Sequence, residues 1–149
     1  MRADDILRLV WVADPQISPD GRRVAFTHVS VDTEADEYRT ALWLLDLDAE
    51  GRALAAPRPL TSGPRDAQPR WSPDGSLVAF VRAAEAGKPG QLCVLPMSGG
   101  EAEKLTQLER GAASPAWSPD GSRIAFVSGT NPALDSPAKP NRSTSRRAW

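Results

Sequence analysis

The sequence predicts an all-β chain, a partial β-propeller of about two and a half four-stranded blades behind a short N-terminal helix. Three observations carry that prediction. Ser-Pro-Asp-Gly occurs three times, at Ser18-Pro19-Asp20-Gly21, Ser72-Pro73-Asp74-Gly75 and Ser118-Pro119-Asp120-Gly121. The aspartates recur 54 and then 46 residues apart, close to the ~40–50-residue period of propeller blades. Each turn is followed by the same apolar triplet, Val24-Ala25-Phe26, Val78-Ala79-Phe80 and Ile124-Ala125-Phe126.

In chain order, residues 1–13 form a lead-in, where Asp4 caps a short helix through Ile6, Leu7 and Val10. Blade 1 is expected over 14–62, blade 2 over 63–107 and the start of blade 3 over 108–128. In each Ser-Pro-Asp-Gly turn, proline presets the first corner, aspartate tolerates the second, and glycine takes the left-handed position that completes a bulged hairpin. The strand that follows places two large residues on one face and alanine on the other. That pattern suits a sheet packed on both sides. Trp71 and Trp117, just before their turns, are expected to fill space between blades, and Ile17 takes that place in the first repeat.

The later strands are also legible. Leu42-Trp43-Leu44-Leu45-Asp46-Leu47 reads as the third strand of blade 1, and Pro59-Leu60-Thr61 as the end of its fourth. Gln91-Leu92-Cys93-Val94-Leu95 and Glu103-Lys104-Leu105-Thr106 play the same parts in blade 2, with the same Leu-Thr ending. Residues 129–149 lose the pattern. Pro132, Pro137 and Pro140 crowd together before Asn141-Arg142-Ser143-Thr144-Ser145-Arg146-Arg147-Ala148-Trp149. Two readings of this stretch stay open: a flexible basic tail, or an out-of-frame end.

Composition narrows the function. The chain has 149 residues, 40% of them hydrophobic and 25% charged, with a formal net charge of −1. That suits one soluble domain and gives no basic footprint for a nucleic-acid partner. The 14 prolines and 11 glycines recur at fixed places, as turn residues do. Cys93 is the single cysteine, so no internal disulfide can form, which fits a reducing compartment. The N-terminus, Met1-Arg2-Ala3-Asp4-Asp5, does not read as a signal peptide. No apolar run reaches the ~20 residues of a membrane helix. A cytoplasmic protein without a membrane partner is expected.

Candidate chemistry is sparse, and no catalytic, cofactor-binding or metal-binding residue is expected. His28 is the only histidine and reads as structural, at the end of a strand. Cys93 lies in an expected strand, where a free cysteine behaves as a small buried hydrophobe. A metal site needs several ligands at set spacing, which one histidine and one cysteine do not supply. Asp32-Thr33-Glu34-Ala35-Asp36-Glu37 lacks the glycine and spacing of a calcium loop and reads as a solvated insert. No phosphate-binding glycine loop occurs, and Asn141-Arg142-Ser143 matches a glycosylation sequon without a secretory signal.

Several segments together resemble a known family. They are Asp14-Pro15-Gln16-Ile17-Ser18-Pro19-Asp20-Gly21 after the helix, Ala41-Leu42-Trp43-Leu44-Leu45-Asp46-Leu47, Pro69-Arg70-Trp71-Ser72-Pro73-Asp74-Gly75, and Ser98-Gly99-Gly100-Glu101-Ala102. The stretch from residue 1 to about 138 resembles the N-terminal propeller of prolyl-oligopeptidase-family serine peptidases, the acylaminoacyl-peptidase-like subgroup above all. The turn motif by itself is shared with other TolB-like and WD40-like propellers.

The resemblance implies a parent protein with a C-terminal α/β-hydrolase domain. There the propeller gates access and admits short peptides. It also implies a Ser-Asp-His triad with its serine in Gly-x-Ser-x-Gly. That motif is absent here, and His28 precedes every position a triad histidine would take, so no catalytic residue carries over and the chain alone is expected to be inactive. The alternative is a non-catalytic TolB-like propeller that binds a protein partner. Because propeller blades bury their faces on one another, the isolated chain is expected to be marginal or oligomeric.

Overall fold

A computed structural model describes residues 10–63 and 65–129. Ten strands follow in order: β1 (Val10–Ile17), β2 (Arg23–Asp32), β3 (Glu37–Asp46), β4 (Arg58–Pro59), β5 (Asp66–Trp71), β6 (Leu77–Arg82), β7 (Gln91–Pro96), β8 (Glu103–Lys104), β9 (Ala113–Trp117) and β10 (Ile124–Val127). They make three antiparallel sheets: β1-β2-β3-β4, β5-β6-β7-β8, and the pair β9-β10. Two four-stranded blades and the first two strands of a third are therefore present among the described residues.

The expected N-terminal helix lies mostly at residues 1–9, outside the described residues. Its last residue, Val10, is not helical: it opens β1 and pairs with Ser30. The run Val10-Trp11-Val12 is β-branched and aromatic, which favours an extended chain beside β2. The acidic segment turns tightly between β2 and β3, and the Asp32 carboxylate accepts the backbone N–H groups of Glu34 and Ala35.

Both four-stranded blades end on the same device. In blade 1 the Leu60 N–H donates to the Leu42 carbonyl at 2.8 Å, while the Thr61 hydroxyl oxygen accepts the Leu42 N–H at 3.1 Å. In blade 2 Leu105 and Thr106 do the same to Leu92. The threonine side chain thus replaces a backbone carbonyl on the outer edge, which lets a two-residue strand close the sheet. This is the physical content of the repeated Leu-Thr.

Strand alternation sets the layers. Ala25, Leu42 and Leu44 of blade 1 pack against Trp71, Val78, Phe80, Cys93 and Leu95 of blade 2. Ala79 and Leu92, on the opposite face of blade 2, pack with Ala112, Trp117 and Ile124 at blade 3. Ala25 and Ala79 therefore face the next blade, whereas Val78 and Phe80, and Ile124 in the third repeat, face the previous one. A small residue lets the incoming tryptophan approach, and dense packing of this kind is what core stability requires.

Candidate functional site

Three copies of one turn are built alike. The Ser18 hydroxyl donates to Asp20 at 2.5 Å while its oxygen accepts the Arg23 N–H at 2.9 Å. Asp20 also accepts the Arg22 N–H, and the Gly21 N–H closes the turn on the Ser18 carbonyl. Ser72, Asp74 and Gly75 repeat this arrangement, as do Ser118, Asp120 and Gly121. The three glycines have φ of 70, 71 and 70°, where a side chain is strained. Their hydrogen bonds, the serine hydroxyl first, hold all three carboxyls below the usual range, Asp74 and Asp120 at about 2.

In this geometry the turn serines make structural hydrogen bonds. The hydroxyl proton is committed to a carboxylate and the oxygen to an amide, with no imidazole among the turn's partners. His28 instead stacks on Trp43, with ring centroids 4.5 Å apart and planes 17° apart. Cys93 is buried, and that burial pushes its thiol up, away from the reactive thiolate. Among the described residues no group of three or more His, Cys, Asp or Glu could hold a metal ion, and no helix is long and apolar enough to cross a membrane.

The chemistry of the molecule lies along the first strand of each blade. β1, β5 and β9 lie side by side, and each carries a bulge at a non-glycine residue followed by proline: Asp14-Pro15, Gln68-Pro69 and Ser114-Pro115. The register shifts fall there, and φ is 48, 59 and 52°. Each such left-handed residue costs on the order of 1 kcal/mol, so the surroundings must enforce it. Bonds to the next blade accompany two of the three. Asp14 accepts from Arg70 at 2.7 Å, and Gln68 accepts the Ser114 N–H at 2.7 Å. Sequence reasoning missed these bulges, although a proline three residues before each turn serine was visible in every repeat.

Two further contacts join the blades. The Trp71 indole N–H donates to the Gln16 carbonyl, and that of Trp117 to the Arg70 carbonyl, both at 3.0 Å. The Pro19 ring lies against Gly75 and the Pro73 ring against Gly121. Between these seams runs an open groove of about 400 Å³ whose walls include Gln16, Arg70, Trp71, Pro115 and Trp117. Its lining offers apolar rings, backbone edges and one guanidinium that Asp14 already holds.

A separate brace lies within blade 2, between its first two strands. Asp66 is fully buried and takes two parallel bonds from Arg82, each 2.7 Å. A Cβ on Gly63 would meet the Asp66 carboxylate at 2.6 Å, so only glycine fits the connection there.

Consecutive blades, joined through their first strands, define a β-propeller. Residues 10–144 match the family described as the TolB beta propeller domain, and the chain belongs to that family. It is 42% identical over 112 residues to the uncharacterized peptidase YuxL of Bacillus subtilis, a match that takes in 74% of this chain and 16% of that protein. The acylaminoacyl peptidase of Pyrococcus horikoshii superposes with a TM-score of 0.66 at 20% identity, over 83% of this chain and 18% of that one. The β-propeller domain of the trilobed protease from Pyrococcus furiosus superposes with a TM-score of 0.63 at 22% identity, over 80% of this chain and 34% of that domain. The resemblance read from the sequence therefore stands: the chain fits a propeller part of the prolyl-oligopeptidase-family peptidases. It spans less than a fifth of the length of the first two relatives.

Proposed function

We propose that this chain is a substrate-gating propeller segment of a serine oligopeptidase or acylaminoacyl peptidase, with blades at 14–62 and 63–107 and the start of a third at 108–128. The observation that supports it most is the 42% identity to a peptidase across three quarters of the chain. On this reading the inner strands form part of the path by which short peptides reach a C-terminal α/β-hydrolase domain. The Ser-Pro-Asp-Gly turns and tryptophans serve as structural pins of that path, and the work is done in the cytoplasm. The chain itself is non-catalytic, because its turn serines are locked in hydrogen bonds and its cysteine is buried.

The family match also favours a second reading, a TolB-like propeller that binds a protein partner without any hydrolase. The two separate cleanly on the DNA that follows the codon for Trp149, translated in all three frames. The peptidase reading expects Gly-x-Ser-x-Gly followed by the triad aspartate and histidine. Further blades with no such motif would overturn it in favour of the binding module.

A further inference from the structure

Asp-Gly occurs three times in the chain, each time inside a Ser-Pro-Asp-Gly turn. This dipeptide carries a chemistry of its own, because glycine has no side chain to keep its amide nitrogen away from the aspartate Cγ. Ring closure forms the N–Cγ bond and breaks a Cγ–O bond, and the amide hydrogen leaves with the hydroxyl as water. A water molecule then opens the succinimide. Opening at the former main-chain carbonyl routes the chain through Cγ, and the product is isoaspartate. The reaction needs a carboxyl that is free to turn toward the amide and protonated, so that water can leave.

The three turns restrain that carboxyl unequally. In all of them the serine hydroxyl and the N–H of the residue after glycine hold Oδ1. The glycine N–H is engaged by the serine carbonyl at 2.9 Å in each. The difference lies at the residue after glycine, which is Arg22, Ser76 or Ser122. The Ser76 hydroxyl donates to Oδ2 of Asp74 at 2.7 Å, and that of Ser122 to Oδ2 of Asp120 at 2.8 Å. Both oxygens of these two carboxylates are therefore held. Their hydrogen bonds keep the two groups at about 2, where the acid form is scarce at neutral pH. Arg22 has no hydroxyl, and both bonds to Asp20 fall on Oδ1.

We propose that Asp20-Gly21 is the Asp-Gly site at which this chain converts spontaneously to isoaspartate, and that the hydroxyls of Ser76 and Ser122 guard the other two. Packing points elsewhere, which makes the proposal specific. All three aspartates are exposed, and blade 3 is the least covered, with Phe126 39% exposed. A chain that ages where packing is thinnest modifies Asp120 first, whereas one that ages where the carboxyl is least held modifies Asp20 first. Isoaspartate at residue 20 adds a carbon to the main chain of the turn that leads into β2. The Pro19 ring that rests on Gly75 belongs to the same turn, so the change reaches the contact between blades 1 and 2. The inference is independent of the peptidase reading.

The test ages the full chain at neutral pH and physiological temperature, with a parallel sample in urea. After digestion, each turn peptide is assayed with protein-isoaspartate methyltransferase and labelled S-adenosylmethionine. In the folded chain isoaspartate is expected about five-fold faster at Asp20 than at Asp74 or Asp120, the effect of one net hydrogen bond. Urea removes that gap. Arg22→Ser slows the reaction at Asp20 about five-fold, and Ser76→Ala speeds it at Asp74 by about the same factor. Both substitutions fall at exposed positions, and circular dichroism checks that the variants fold as the wild type does. Equal rates in the folded chain, Asp120 ahead of Asp20, the same gap in urea, or rates unmoved by either substitution overturn the proposal.

Discussion

Phe80 and Phe126 hold the same place in their repeats and have opposite surroundings. Phe80, on the middle strand pair of blade 2, is fully buried, whereas Phe126 in blade 3 is 39% exposed. Ala79 is fully buried and Ala125 is exposed. The turns that precede the two triplets are nearly superimposable in their hydrogen bonds. The repeat therefore specifies the hairpin locally, but burial comes from neighbours on both faces and from the third and fourth strands. Blade 2 has these and blade 3, over its described residues, does not.

Substitution should expose that difference directly. Phe80→Ala is expected to cost about 3–5 kcal/mol, the range for a fully buried large aromatic. Phe126→Ala should cost well under half as much, because less burial is lost. Paired urea denaturation curves check this, and equal costs would mean that blade 3 is covered as completely as blade 2.

A second variant sharpens the contrast within blade 2. Arg82→Met leaves the Asp66 carboxylate fully buried and without its bidentate partner. Breaking a buried pair from one side costs about 3 kcal/mol or more, although the half-exposed arginine places this one at the lower end. Asp66→Asn in the Arg82→Met background should recover part of the loss. Thermal melts of the three proteins read it out.

The smallest effect belongs to the turns, which the two blades share. Asp74 and Asp120 titrate at about 2 when folded, against about 3.9 unfolded. A depressed carboxyl contributes stability that is complete above its unfolded pKa and is lost as pH falls through the folded one. The loss should thus run from about pH 4 to about pH 2. Carboxyl chemical shifts followed by NMR test it, and Ser72→Ala should raise the Asp74 midpoint by removing the hydroxyl that contributes most.

The sequence was most readable where chemistry is local. Pro19, Asp20 and Gly21 dictate a turn whatever surrounds them, and the Val-Ala-Phe triplets dictate a two-sided strand. The bulges at Asp14, Gln68 and Ser114 were not read, because the bonds that accompany them run between blades, Asp14 with Arg70 and Gln68 with Ser114, and not within a motif. The Asp66–Arg82 brace was hidden for the same reason: its partners lie on separate strands with no motif between them. Val10 was misread as helical because a short apolar run with an acidic cap fits either period, and pairing with Ser30 decided it. Trp71 and Trp117 were expected between blades, whereas the carbonyls of Gln16 and Arg70 that they answer became visible only once the blades stood side by side.

Neighbouring blades, rather than the repeat itself, confer stability on each hairpin. Native-state hydrogen exchange tests it most directly, by comparing backbone amides of β6 with those of β10. Slow exchange is expected across Leu77–Arg82 and exchange at least ten-fold faster across Ile124–Val127, a gap of about 1.4 kcal/mol in opening free energy. Equal protection of the two strands would contradict it.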